Sequence, residues 1–203
     1  MANSDIRKGF IPSRTRDSSP FSEQINHYYV PSTYATALYV GDPVVKTGTA
    51  NTAVAGEGKN YASGTLPEIN KATAGDGNAI TGVIVGFEAS SDNENIIYNP
   101  ASNARVVYVC DSPDVVFEIQ ADSANAVAAT DIGANANVVY THAGVAATGL
   151  SGAELNTASM TTTSTYQLKI LRLVERSDNE LGTNAKLEVL INNHTEANNT
   201  AGI

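Results

Sequence analysis

Residues 105–120 constrain the chain more than any other stretch. Arg105–Cys110 and Val115–Gln120 are two runs of β-branched and aromatic residues, separated by Asp111-Ser112-Pro113-Asp114, which are turn formers by residue type. In the second run Val115, Phe117 and Ile119 alternate with Val116, Glu118 and Gln120, the period-two pattern of a strand with one buried face. The first run is apolar at every other position too, which places it centrally in a sheet. The pair is expected to form a β-hairpin.

The rest of the chain repeats the theme in weaker form. Residues 37–40, Gly41-Asp42-Pro43 and 44–46 read as strand, turn and strand. Residues 80–87 read as a strand whose interior Gly82 and Gly86 mark bulges or close backbone approach. A strand is expected at 138–141, and a last pair at 166–174 and Lys186–Ile191. In that pair Tyr166, Leu168 and Ile170 carry the apolar phase before Leu171 and Leu173 take it over, as a β-bulge would produce. Residues 121–129 are alanine-rich and allow at most a short helical turn. Two stretches poor in large apolar residues, 47–79 and 143–163, read as long surface loops. Seven to nine short strands without a long helix give an all-β chain, an antiparallel β-barrel or a jelly-roll-like sandwich.

The first 35 residues have a different character. Gly9, Pro12, Pro20 and Pro31 exclude a helix and favour an extended path. Ile6, Phe10, Ile11, Phe21, Ile25, Tyr28, Tyr29, Val30 and Tyr34 are nevertheless spaced along it, and a disordered tail usually avoids such side chains. The charge is also uneven. Residues 1–17 hold Arg7, Lys8, Arg14 and Arg16 against Asp5 and Asp17, a net of +2, which leaves 8 of the 12 basic and 19 of the 21 acidic side chains for the remainder, a net of -11. The expected organisation is an extended N-terminal arm over 1–35, one β domain over 36–194 and a polar tail over 195–203. Arg7, Lys8, Phe10, Ile11, Arg14, Arg16, Phe21, Tyr28 and Tyr29 are the candidate partner contacts of the arm, because aromatic and arginine side chains dominate interface energetics. The competing reading is that the arm folds back and completes the chain's own core.

Chemistry is sparse by comparison. The acidic body is a poor match for nucleic acid. No apolar run approaches a membrane span, and the first residues lack the apolar core of a secretory signal. Cys110 is the single cysteine, in an apolar run, and is expected to be a buried small hydrophobe. His27, His142 and His194 lack partners at metal-ligand spacing, and His194 reads as part of a polar tail. The acidic triplets 92–94 and 178–180 read as solvated turns, since neither fits a calcium loop. Gly56-Glu57-Gly58 and Gly75-Asp76-Gly77 have no strand-to-helix setting for a phosphate, and the Asn-X-Thr triplets at 193–195 and 198–200 are discounted as glycan acceptors. No nucleophile elbow, P-loop or dinucleotide fingerprint is present, and Trp, a common sugar platform, is absent. The expectation is a chain with no enzymatic role and no cofactor.

Several strings taken together carry a resemblance: MANSDIRKGFIP at 1–12, GDPVV at 41–45, GVIVGF at 82–87, VFEIQAD at 116–122, DIGAN at 131–135, LKILRL at 168–173 and INNH at 191–194. They resemble the cement or decoration proteins that accompany the major capsid protein in tailed bacteriophages. The resemblance implies a barrel or jelly-roll-like body on the outside of an icosahedral shell. It further implies a homo-oligomer, dimer or trimer, that bridges major capsid subunits after synthesis in the host cytoplasm. The two long small-residue stretches depart from a compact module of that kind. A receptor- or glycan-binding β module, such as a head fibre or adhesin domain, is the alternative.

Overall fold

A computed structural model describes residues 3–56, 59–89 and 95–197. The triplet at 92–94, Glu57 and Gly58, and the second glycan triplet at 198–200 lie outside the described residues, as does the end of the tail. Among the described residues the regular secondary structure is almost entirely strand: β1 Ile11–Thr15, β2 Asn26–Val30, β3 Pro43–Ala50, β4 Val54–Gly56, β5 Lys59–Tyr61, β6 Pro67–Lys71, β7 Gly82–Phe87, β8 Arg105–Cys110, β9 Val115–Gln120, β10 Asn135–Val139, β11 Glu154–Thr161, β12 Leu168–Leu173 and β13 Lys186–Ile191. The alanine-rich stretch yields only one 3-10 turn, Ala129–Asp131. No helix among these residues is long and apolar enough to cross a membrane.

The strands form two main sheets. One is six-stranded and antiparallel, in the order β1-β9-β13-β12-β10-β11. In the other, pairing runs in a ring, β2-β6-β3-β7-β8, closed by a single parallel pair, Tyr29↔Glu68. β4 and β5 make a separate two-stranded ribbon. The chain is thus all-β, as its punctuation implies.

Side-chain alternation explains two cores. Tyr28, Val30, Leu38, Val44, Ile69, Ile84, Val107 and Val109 pack together as the core of the ring. Val83 and Cys110, their neighbours on the same strands, join Phe10, Phe117, Leu155, Leu168, Ile170 and Leu187 in a larger core shared with the six-stranded sheet. Cys110 is fully buried, and burial pushes its thiol up to about 12, so it is a packing residue.

The bounds of β8 and β9 match the sequence reading, but their relationship does not. β8 pairs with β2 and β7, while β9 pairs with β1 and β13. The Asp-Ser-Pro-Asp link carries the chain from one sheet to the other, so the expected hairpin is corrected to a crossover. Both edges of β8 are already occupied, and a hairpin would need one of them free. Gly82 shows why β7 can lie there, since a Cβ at that position would run into the Cys110 carbonyl. The β7–β8 register shifts between Ile84 and Gly86, so both interior glycines have the role expected of them. The bulge expected in the last strand pair is also present, between Ile170 and Arg172.

Both long loops are corrected as well. The stretch 47–79 contains the end of β3, the ribbon and β6, where Ile69 is fully buried in the ring. The stretch 143–163 contains β11, where Leu155 is fully buried. His194 does not belong to a polar tail: it is fully buried, bridges in parallel to Ile80, and burial holds its imidazole below the ordinary histidine range.

Candidate functional site

The N-terminal segment is where charge and apolar spacing point to function. The structure does not leave it outside the domain. Residues 11–15 become the edge strand of the six-stranded sheet, and residues 26–30 become a strand of the ring. The path is extended, as proline spacing requires, but it is laid on the chain's own body.

The attachment begins at Asn3. Its amide donates to the carbonyls of Glu180 at 2.8 Å and Thr183 at 2.9 Å, and its oxygen accepts from the Glu180 N–H. The Ile6 N–H then donates to the Gln120 Oε1 at 2.9 Å, and Gln120 Nε2 donates to Asp5 at 2.8 Å. At Gly9 (φ +66°) and Gly41 (φ +89°) two backbones cross in contact, and the Phe10 N–H donates to the Gly41 carbonyl at 3.0 Å. Only glycine fits either position, because a Cβ would strike the opposing carbonyl and because φ is left-handed. The crossing drives Phe10 into the shared core, where its ring meets that of Phe117 edge-on at 6.0 Å.

Beyond Phe10 the pairing of β1 with β9 sets which side chains are spent internally. Arg14 donates to Glu188 from Nε at 3.2 Å and from an Nη at 2.6 Å, and Arg172 donates to the same carboxylate at 3.0 and 2.9 Å. Burial raises the Glu188 pKa, but the hydrogen bonds from Arg172 and Arg14 outweigh it and hold the carboxyl below its ordinary value. In the ring, Tyr28 is buried and donates its O–H to Asp111 at 2.7 Å. Phe21 is half-buried against the shared core, and Tyr29 is half-buried beside Glu68.

Of the nine candidate contacts, therefore, Phe10, Arg14 and Tyr28 serve the chain's own fold. The folding-back weighed against docking is what the structure shows for these three, because each finds a complementary pocket or carboxylate within the same chain. Arg7 is half-buried and pairs with Asp5 at 3.5 Å. Arg16 is exposed and pairs with Asp114, also at 3.5 Å. Lys8 and Ile11 stay on the surface, and they do so together.

They line a groove with Ile6, Glu118, Arg176 and Lys186. Ile6 is 54% exposed and Ile11 41%, which makes them two of the few large apolar side chains on the surface. Lys8 and Lys186 border them, and Arg176 reaches Glu118 at 3.9 Å. Sequence reasoning finds Lys8 and Ile11 but misses Arg176 and Lys186, which lie some 170 positions away and arrive only through the pairing of β13 with β9. A second unusual group lies under the same segment. Glu154 is 2% exposed, its Oε2 accepts no hydrogen bond from the described residues, and His142 stands 3.7 Å away. Burial raises the Glu154 pKa, opposed by the charges of His142 and Arg7.

Among the described residues no group of three or more His, Cys, Asp and Glu side chains could hold a metal ion. Asp178-Asn179-Glu180 is a loop staple: Asn179 donates to the carbonyls of Val174 and Lys186 and accepts from the Lys186 N–H. No family model, no curated protein and no solved structure matches the chain.

Proposed function

We propose that this chain is a non-enzymatic structural protein of a phage virion, which binds the outside of the capsid and stabilises it by bridging major capsid subunits. The observation that carries the reading is the groove of Ile6, Lys8 and Ile11, an apolar strip bordered by Lys186 and by an Arg176 already paired with Glu118 and Asp178, on an otherwise acidic body. Such a strip suits an acidic neighbour that offers apolar side chains between its carboxylates. The string resemblance to cement and decoration proteins supplies the identity of that neighbour. A homo-oligomer, dimer or trimer, would engage several capsomers at once, so modest contacts per copy sum to tight attachment.

The fold dictates how the reading is tested. Deleting the N-terminal segment would remove β1 and β2 and with them part of both cores, so point changes on the outer face are the proper instrument. In the variant combining Ile6→Asp, Lys8→Glu and Ile11→Asp, occupancy on purified capsids should fall at least about tenfold while the fold survives. Unchanged occupancy would remove the groove from the interface and overturn the reading.

A further inference from the structure

The ring has a seam. β2 pairs with β8 along five residues but with β6 only at Tyr29↔Glu68. On the N-terminal side of that pair a cleft of about 840 Å³ opens between Asn26–Tyr28 on one side and Leu66–Pro67 on the other. That volume lies within the range typical of small-molecule sites, roughly 300–1,000 Å³.

The polar groups in the cleft are held in place. Asp111 accepts from the Asn26 amide at 3.0 and 2.9 Å and from the Tyr28 O–H at 2.7 Å, which fixes the plane of its carboxylate. Lys46, above the Tyr28 ring at 5.8 Å from its centroid, pairs with Glu196. Each of these groups keeps capacity to spare. The Lys46 ammonium has three N–H donors and uses one on Glu196, and a carboxylate accepts at about four positions.

We propose that this cleft binds a pyranose saccharide unit. A ligand that only accepts, such as phosphate, would meet two carboxylates for one ammonium, and one that only donates would meet Lys46. Sugar hydroxyls on adjacent carbons both donate and accept, so one ring can satisfy Asp111, Glu196 and Lys46 together. His27, whose ring packs on Tyr108 at 4.9 Å, and Tyr61 belong to the same lining and are the aromatic groups available to the C–H face of the ring. None of the cleft residues lines the groove assigned to the capsid, so the two sites can be occupied at once and tested separately.

Saturation-transfer NMR on the full chain with glucose, galactose and N-acetylglucosamine tests the assignment, with sorbitol as an acyclic polyol. Transfer to at least one of the three sugars is expected, with a Kd on the order of 1 mM. Glu196→Gln and Lys46→Gln should each weaken it at least about fivefold. Both positions are partly exposed, so neither change threatens the fold. No transfer to any sugar, transfer undiminished in both variants, or equal transfer to sorbitol would each overturn the proposal. Capsid occupancy of the Glu196→Gln protein should equal that of the parent, which separates this result from the fate of the groove.

Discussion

The inner and outer faces of the N-terminal segment present opposite solutions from one run of sequence. Phe10 and Arg14 turn inward, one to an aromatic partner in the core and the other to a buried carboxylate. Ile6, Lys8 and Ile11 turn outward and have apolar surface left over. The difference teaches that a segment can be bound to its own body and still keep apolar surface exposed, because the left-handed backbone at Gly9 and the register shift between Pro12 and Arg14 break simple alternation along it.

Substitutions can break this contrast, and the largest effect should come from the inside. Phe10→Ala should cost about 3–5 kcal/mol in urea unfolding, because a buried ring is lost and the Gly9–Gly41 crossing prevents collapse around it. Glu188→Gln should cost about 1–3 kcal/mol by leaving Arg14 and Arg172 with a weaker acceptor. The depressed pKa of Glu188 gives its contribution a definite pH window. It is present above the ordinary glutamate range and lost as pH falls through the folded value, so the urea midpoints of parent and variant should converge under acid conditions.

Tyr28→Phe should cost about 1 kcal/mol, since Asp111 keeps both hydrogen bonds from Asn26. Glu154→Gln has the opposite sign. The raised pKa of Glu154 means its contribution is greatest at low pH and is lost as pH rises through the folded value. A neutral amide there should therefore stabilise the fold modestly at pH 8 and lose that advantage in acid, as thermal unfolding at several pH values would register. On the outer face, Ile11→Asp should change stability by less than about 0.5 kcal/mol. A large loss of stability there would erase the division between the faces.

How much of this could be read from the residues depends on which question is asked. Alternation in 105–110 and 115–120 gave the strand bounds, because the pattern reports which side chains are buried. It does not report the neighbouring strand, so the crossover looked like a hairpin. β6 leaves little trace in the sequence because Ile69 is the single buried residue among its five, and β11 because Glu-Leu-Asn-Thr-Ala-Ser-Met-Thr offers one aliphatic core side chain. In the candidate site, Lys8 and Ile11 were legible from charge and spacing. Arg176 and Lys186 were not, since only tertiary pairing brings them to the groove. The inward destination of Phe10 was equally hidden, because an aromatic anchor looks the same whether its pocket belongs to a partner or to the chain itself.

The pairing of Ile11 with Glu118, and of β9 in turn with β13, has a consequence for when the groove exists. Its walls are Ile6 and Lys8, which precede β1, and Lys186, which opens β13. During translation the first strand must wait for partners more than a hundred residues downstream, and such distant pairing forms slowly. A chain interrupted before residue 186 therefore cannot assemble the groove at all. The groove is in this way a record of long-range pairing, present only once Ile6 and Lys8 have been brought beside Lys186.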